Sequence, residues 1–224
     1  FKRYPVFRFK PDDFKLKLRE IKALYTSGLS MAAMMSLVFF GTLSLQCAIN
    51  TFGQDIIVAH TAARKITEFF MLPFSVMGVT MATYCGQNMG AGRKDRIRTG
   101  IAGSDPYLDL VPWNDPLSYT VAPWLIWLVT GSKNPAVLSN ATWYLKTDTL
   151  FYFAPAAISI LRNGLQGMGD HITPVFSSMI ELIGKVICAF LLACIFQYWG
   201  IIMAEPIVWI LMVIPLIIKA RKLL

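Results

Sequence analysis

Residues 201–218, IIMAEPIVWILMVIPLII, form an apolar run interrupted by one charge, Glu205, set directly before Pro206. A run of this length matches the roughly 20 apolar residues that a helix needs to cross a bilayer. Similar runs recur at 27–50, 57–85, 142–162 and 174–196, and the whole chain is 55% hydrophobic, with a mean hydropathy of +0.53. That is more apolar surface than a water-soluble core can hide. The chain therefore reads as an all-α, multi-pass membrane protein whose solvent is lipid. The net charge of +8 does not point to nucleic acid, because the basic residues fall in short clusters between apolar runs rather than on one polar face.

Those clusters set the expected topology. Lys2, Arg3, Arg8, Lys10, Lys15, Lys17, Arg19 and Lys22 precede the first run; Arg93, Lys94, Arg96 and Arg98 follow the second; Arg162 follows the fourth; Lys219, Arg221 and Lys222 follow the last. If residues 97–121 count as a third, degraded span, all of these share one side, and Lys133 and Lys146 fall on the other. The positive-inside rule then predicts six spans with both termini cytoplasmic. Residues 1–26 are expected to be a cytoplasmic basic linker or an interfacial helix starting at Phe14 and capped by Asp12 and Asp13. The chain begins at Phe1 without a signal-peptide pattern, which is expected of a piece of a longer protein.

The third span is the irregular one. Residues 104–118, SDPYLDLVPWNDPLS, carry three prolines and three aspartates and are not expected to cross as a helix. Read one nucleotide later, Asp105-Pro106, Tyr107-Leu108 and Asp109-Leu110 can each give an Ile or Thr codon at the junction, so an apolar helix could lie in the next frame; the alternative is a real loop.

Ionisable groups inside spans are costly and mark sites by default. His60, Arg64 and Glu68, spaced i, i+4 and i+8 with Lys65 beside them, form a stripe expected to turn inward. It would line the outer part of a substrate or ion cavity, or else be an ion-paired helix end. Glu181 and Lys185 make an i, i+4 pair about 10 Å from the cytoplasmic helix end, either self-neutralising or a proton acceptor held by a lysine. Glu205 with Pro206 is a structural kink or a cation or proton site. Gln46, Asn50, Gln87, Asn88, Asn163 and Gln166 are expected to lock helices together. Cys47, Cys85, Cys188 and Cys194 lack metal or redox spacing and are expected to be small buried hydrophobes. The Gly90-Ala91-Gly92 string lacks a phosphate-loop frame, and no catalytic constellation is visible, so an enzyme is not expected.

The string Gln87-Asn88-Met89-Gly90-Ala91-Gly92-Arg93, with Asp95-Arg96, resembles a segment of bacterial multidrug and toxic compound extrusion (MATE) transporters. Ala48 to Gly53 and Ala59 to Ile66 resemble that family's seventh and eighth helices. Leu161-Arg162-Asn163-Gly164-Leu165-Gln166-Gly167-Met168-Gly169, Ile180-Glu181-Leu182 and Ala204-Glu205-Pro206-Ile207-Val208-Trp209 resemble the tenth to twelfth. The ordered set spans nearly the whole chain. The resemblance implies that 27–224 is the C-terminal, six-helix lobe of a twelve-helix MATE-type transporter, with the third helix of the lobe disrupted. It implies export of small organic cations or drugs against Na⁺ or H⁺, with no cofactor, membrane lipid as surroundings and a missing N-terminal lobe as partner. Gln46, Asn50, His60, Arg64, Glu68, Gln166, Glu181 and Glu205 are the candidate pathway residues, and Gln87, Asn88, Gly90, Gly92 and Arg162 the motif residues. The competing readings are a flippase for lipid-linked precursors and a non-transporting truncated fragment.

Overall fold

The computed structural model describes residues 17–103 and 111–224, with side chains in the second block from Thr120 onward. Nine helices run through the described residues: α1 Leu18–Ile49, α2 Gln54–Phe70, α3 Leu72–Gly90, α4 Lys94–Ala102, α5 Val111–Thr130, α6 Pro135–Leu150, α7 Phe153–Gly167, α8 Ile172–Ile187 and α9 Tyr198–Leu223. No strand occurs among them. Helix α8 continues through a wide π turn, Cys188–Leu192, into Ala193–Phe196.

Three helices, α1, α8 with its extension to Phe196, and α9, are long and apolar enough to cross a membrane unaided, and α2 with α3 makes a fourth span bent by 42°. The bend sits at Pro73. Proline cannot donate to the ladder and clashes with the preceding turn, so α2 ends at Phe70 and α3 restarts one residue later. The run at 142–162 divides in the same way into α6 and α7, with Pro155 in the first turn of α7.

Helix α1 is 32 residues long, about 48 Å at 1.5 Å per residue, so Leu18–Thr26 is continuous with the span rather than separated from it. Residues 1–16 lie outside the described residues. So do 104–110, and with them much of the stretch proposed as frameshifted. From Val111 onward the chain is helical, so the alternative of a loop over the whole of 104–118 does not hold for 111–118. Pro112 lies in the first turn, where a missing N–H costs nothing.

The helices pair as α1 with α8, α3 with α7, α2 with α6, and α9 with α8 and α7, while α5 covers α2 and α6. Small residues permit the closest approach. A Cβ on Gly167 would overlap the Ala82 carbonyl, and one on Gly78 would come within 2.5 Å of the Asn163 amide. Gly184 faces Val208, and Gly41 faces Lys185 and Leu182. Tyr144, Tyr152, Leu45, Ile49, Ile201, Met212 and Leu216 fill the centre. Phe39, Phe40, Phe69, Phe190 and Ile195 point outward and are more than half exposed, as expected where hydrocarbon is the solvent.

Two local expectations are corrected. Cys85 and Cys188 are buried, but Cys47 and Cys194 are exposed, since in an apolar solvent a thiol gains nothing by facing inward. The amides lock fewer helices together than expected. Gln46 donates to Asn50, Asn88 to the Tyr84 carbonyl and Asn163 to the Ser159 carbonyl, all one turn away on their own chain segment. Without water, the nearest backbone carbonyl is the nearest available acceptor. Gln166 reaches across to another helix, toward the Met34 sulfur at 3.6 Å.

Candidate functional site

The charged residues of the interior form a file that alternates in sign. Arg64 on α2 lies between Glu68 (3.8 Å) and Glu205 on α9 (3.7 Å). Lys185 on α8 approaches the same Glu205 oxygen at 3.6 Å and bonds Glu181 at 2.9 Å; Arg162 on α7 completes the file 3.6 Å from the other Glu181 oxygen. The Lys185 side chain is 4% exposed and that of Glu68 70%, so the file runs from the rim of the lobe into its interior. Tyr144 on α6 donates to the second Glu205 oxygen at 2.7 Å. The contacts at 3.6–3.8 Å are charge pairs, whereas Lys185–Glu181 and Tyr144–Glu205 are hydrogen bonds.

The sequence explains each placement. Glu181 and Lys185 share a face of α8 at i, i+4, and Gly41 on α1 and Gly184 bring α1 and α9 close enough to close over that face. On α2 the stripe rotates as it descends. His60 is buried, Arg64 half-buried and Glu68 exposed, so the expectation of an inward stripe holds for its upper part only. Arg162, assigned by charge counting to a cytoplasmic loop, is inside against Glu181, because α7 extends to Gly167.

Behind the file is a second polar group that sequence reading missed. Asp148, on α6 one turn after Tyr144, is 1% exposed and accepts from the Thr67 hydroxyl of α2 at 3.1 Å; its other oxygen has no partner among the described residues. The two His60 nitrogens and the Tyr198 hydroxyl are also buried and without a hydrogen-bond partner among the described residues. The His60 ring packs edge-on against Tyr144 (4.9 Å) and Tyr198 (6.1 Å). The available signal was the i, i+4 spacing of Tyr144 and Asp148 within a largely apolar run.

Gln46 and Asn50 satisfy each other at the far end of α1, and Gln166 faces Met34; none of the three joins the file. The motif residues build a turn. Asn88 holds the last turn of α3, the Arg93 N–H returns to the Asn88 carbonyl at 2.8 Å, and Gly92 takes φ +68°, a left-handed conformation that favours glycine. The Tyr84 hydroxyl bonds the Arg96 carbonyl, folding α4 back beside α3. A cleft of about 600 Å³ between Gln87, Asn88, Asp95 and Arg96 opens there. Arg93 grips Asp95 through two hydrogen bonds and holds its carboxyl below the usual carboxylate range.

No protein-family model matches the chain, and no curated protein does. Solved structures do. A MOP-superfamily transporter from Pyrococcus furiosus, described as having a binding pocket of reversed polarity, superposes with a TM-score of 0.86 at 16% identity, over 99% of this chain and 51% of that one. The chain has the fold of one MATE-type lobe. A MATE protein solved in a complex gives a TM-score of 0.83 at 16% identity, covering 99% of this chain and 52% of that one; a MATE in its bent conformation gives 0.81 at 15%, covering 99% and 50%. The chain spans about half the length of these MATE-type transporters, and the helical half-transporter lobe expected from sequence is the fold observed among the described residues.

Proposed function

We propose that this chain is the C-terminal lobe of a secondary active multidrug exporter, a member of the MATE family, that works with an N-terminal lobe in the inner membrane, both ends of the chain cytoplasmic. The transporter would export small organic cations or drugs by alternating access, rocking its two lobes about a midplane site while Na⁺ or H⁺ moves inward. The observation that carries this reading is the buried file Arg64–Glu205–Lys185–Glu181–Arg162 in a lobe of transporter fold. Ionisable residues in such numbers are retained inside an apolar bundle where they serve a pathway. An apolar groove of about 470 Å³ between α2 and α5, lined by Ile66, Phe70 and Leu125 with Lys65 among its residues and the lipid-facing Phe69 at its edge, suits hydrophobic organic compounds. Arg64, Lys185 and Arg162 are each engaged by a carboxylate, which argues against a flippase that would need free positive charge for a pyrophosphate.

The test is expression of the full-length gene, both lobes intact, in efflux-deficient cells. Raised resistance to cationic dyes and drugs, with dye efflux that collapses when the ion gradients are dissipated, is the expected outcome. Unchanged susceptibility and efflux, with the protein present in the membrane, would favour the non-transporting reading instead.

A further inference from the structure

At the end of the lobe where α4 meets α9, three cations have partners. Arg93 is held by Asp95, Lys219 lies 3.6 Å from Asp170, and the Lys94 ammonium donates to the Leu223 carbonyl at 3.3 Å. Arg98 and Arg221 do not: neither makes a hydrogen bond or an ion pair with the described residues. Both line one cleft of about 700 Å³ between α4, α7 and α9. Two guanidiniums facing one cleft repel each other unless an anion lies between them.

The sequence spacing gives the cleft a polarity. On α4, Arg98, Ile101 and Ala102 fall at i, i+3 and i+4 and share a face; on α9, Ile217 and Arg221 do the same at i and i+4. Helix α4 enters the lobe from the end marked by the Lys94–Leu223 contact, and α9 leaves through it. On both helices, therefore, the aliphatic residues lie about one turn deeper than the arginine, and Leu161 of α7 completes the apolar part. The frame is fixed in place. Ile97 is fully buried, the Tyr84 hydroxyl holds the Arg96 carbonyl, and Lys94 fastens α4 to the last turn of α9.

This polarity selects a ligand. Guanidinium forks match phosphate oxygens, whereas the deeper lining offers only aliphatic surface. A small free anion would leave that surface unused, and a hydrocarbon chain alone would leave two charges bare. The helix dipole accounts for a cation at Arg221, in the last turn of α9, but not for Arg98 in the middle of α4. Basic pockets between spans at a cytoplasmic end are where anionic lipid headgroups bind. We propose that the cleft between α4, α7 and α9 holds one anionic phospholipid, its phosphate between Arg98 and Arg221 and an acyl chain against Ile101, Leu161 and Ile217. Its leaflet, the inner one, rests on the orientation proposed above; the site itself does not depend on export. Bound there, the lipid ties α4 to α9.

The test uses the complete two-lobed transporter in neutral detergent, titrated with phosphatidylglycerol or phosphatidylethanolamine and read by native mass spectrometry. The wild type should retain one phosphatidylglycerol in preference to phosphatidylethanolamine. Arg98→Gln combined with Arg221→Gln should weaken that retention about 30-fold, about fivefold for each arginine. Arg96→Gln combined with Lys222→Gln removes two charges from the same end but outside this cleft, and should leave retention unchanged. Ala102→Trp, at an exposed position on the cleft, keeps both arginines and should also lose the lipid by filling the acyl space; it decides the matter should the double arginine variant fail to fold. Equal retention of the two lipids, equal loss in the two double variants, unchanged retention in Ala102→Trp, or inorganic phosphate competing as strongly as phosphatidylglycerol would each overturn the proposal. Retention that depends on Arg98 and Arg221 in a protein that exports nothing would keep the lipid site and overturn the exporter; an active exporter without that dependence would do the reverse.

Discussion

Glu205 is the residue on which the interior charges converge, with Arg64, Lys185 and Tyr144 all meeting its carboxylate. Removing that charge strands two half-buried or buried cations, and breaking such an arrangement from one side typically costs about 3–5 kcal/mol. Glu205→Gln should therefore lower the thermal denaturation midpoint of the purified full-length transporter markedly. Tyr144→Phe, which loses one hydrogen bond to a charged acceptor, should cost about 1.5–3 kcal/mol and shift the midpoint less. A Glu205→Gln protein as stable as the wild type would show that the file contributes nothing to folding. At this scale the sequence was half legible. The acids and bases inside the spans stood out against Leu and Ile, and the Glu181–Lys185 pair could be read from its spacing. That Lys185 also meets Glu205, and that Arg162 turns inward, depends on helix rotations no local pattern encodes. Asp148 escaped because Lys146, two positions away, was read only for its side of the membrane and the run at 142–162 only for its apolar length.

The helices are held apart, or together, by single carbon atoms. Gly167 has no room for a side chain beside the Ala82 carbonyl, whereas Gly28 on α1 has open space around it. Gly167→Leu should wedge α3 from α7 and appear as loss of the monodisperse peak in fluorescence-detected size exclusion of the full-length protein. Gly28→Ala should leave that peak intact and gain up to about 1 kcal/mol of helix propensity. Element existence was legible from apolar runs, and the α2–α3 break from Pro73. The α6–α7 break was legible only as a proline inside a run, because Pro155 breaks the ladder four residues upstream of itself, where the sequence FYF gives no warning. Which helix pairs with which was not legible from sequence alone, since glycine spacing shows that a close contact exists without saying with what.

At the scale of the whole lobe, the clustering of Arg and Lys near the α3–α4 turn and the end of α9 is reinforced by a direct contact: the Lys94 ammonium reaches the Leu223 carbonyl at 3.3 Å, so the two basic segments share one end of the molecule. The α5–α6 connection, Gly131 to Asn134, lies elsewhere and carries Lys133. With Cys47 and Cys194 replaced by alanine, Ser132→Cys should react with a membrane-impermeant maleimide in intact cells, and Asp95→Cys should react only after lysis. The reverse pattern would invert the proposed orientation.

The two interrupted spans stop at matching places. Met71 caps the end of α2 and Phe151 that of α6, the neighbouring rings of Phe74 and Tyr152 stack edge-to-face at 6.2 Å, and the Thr67–Asp148 hydrogen bond ties the last turns of the two upper segments together. Backbone hydrogen bonds supply a helix's flexural stiffness, and both ladders lack rungs at this level. The lobe thus has a built-in crease: α2 and α6 form one leaf, α3 and α7 the other, and bending load applied to the upper leaf concentrates along the line between them, directly beneath the aspartate that clasps it.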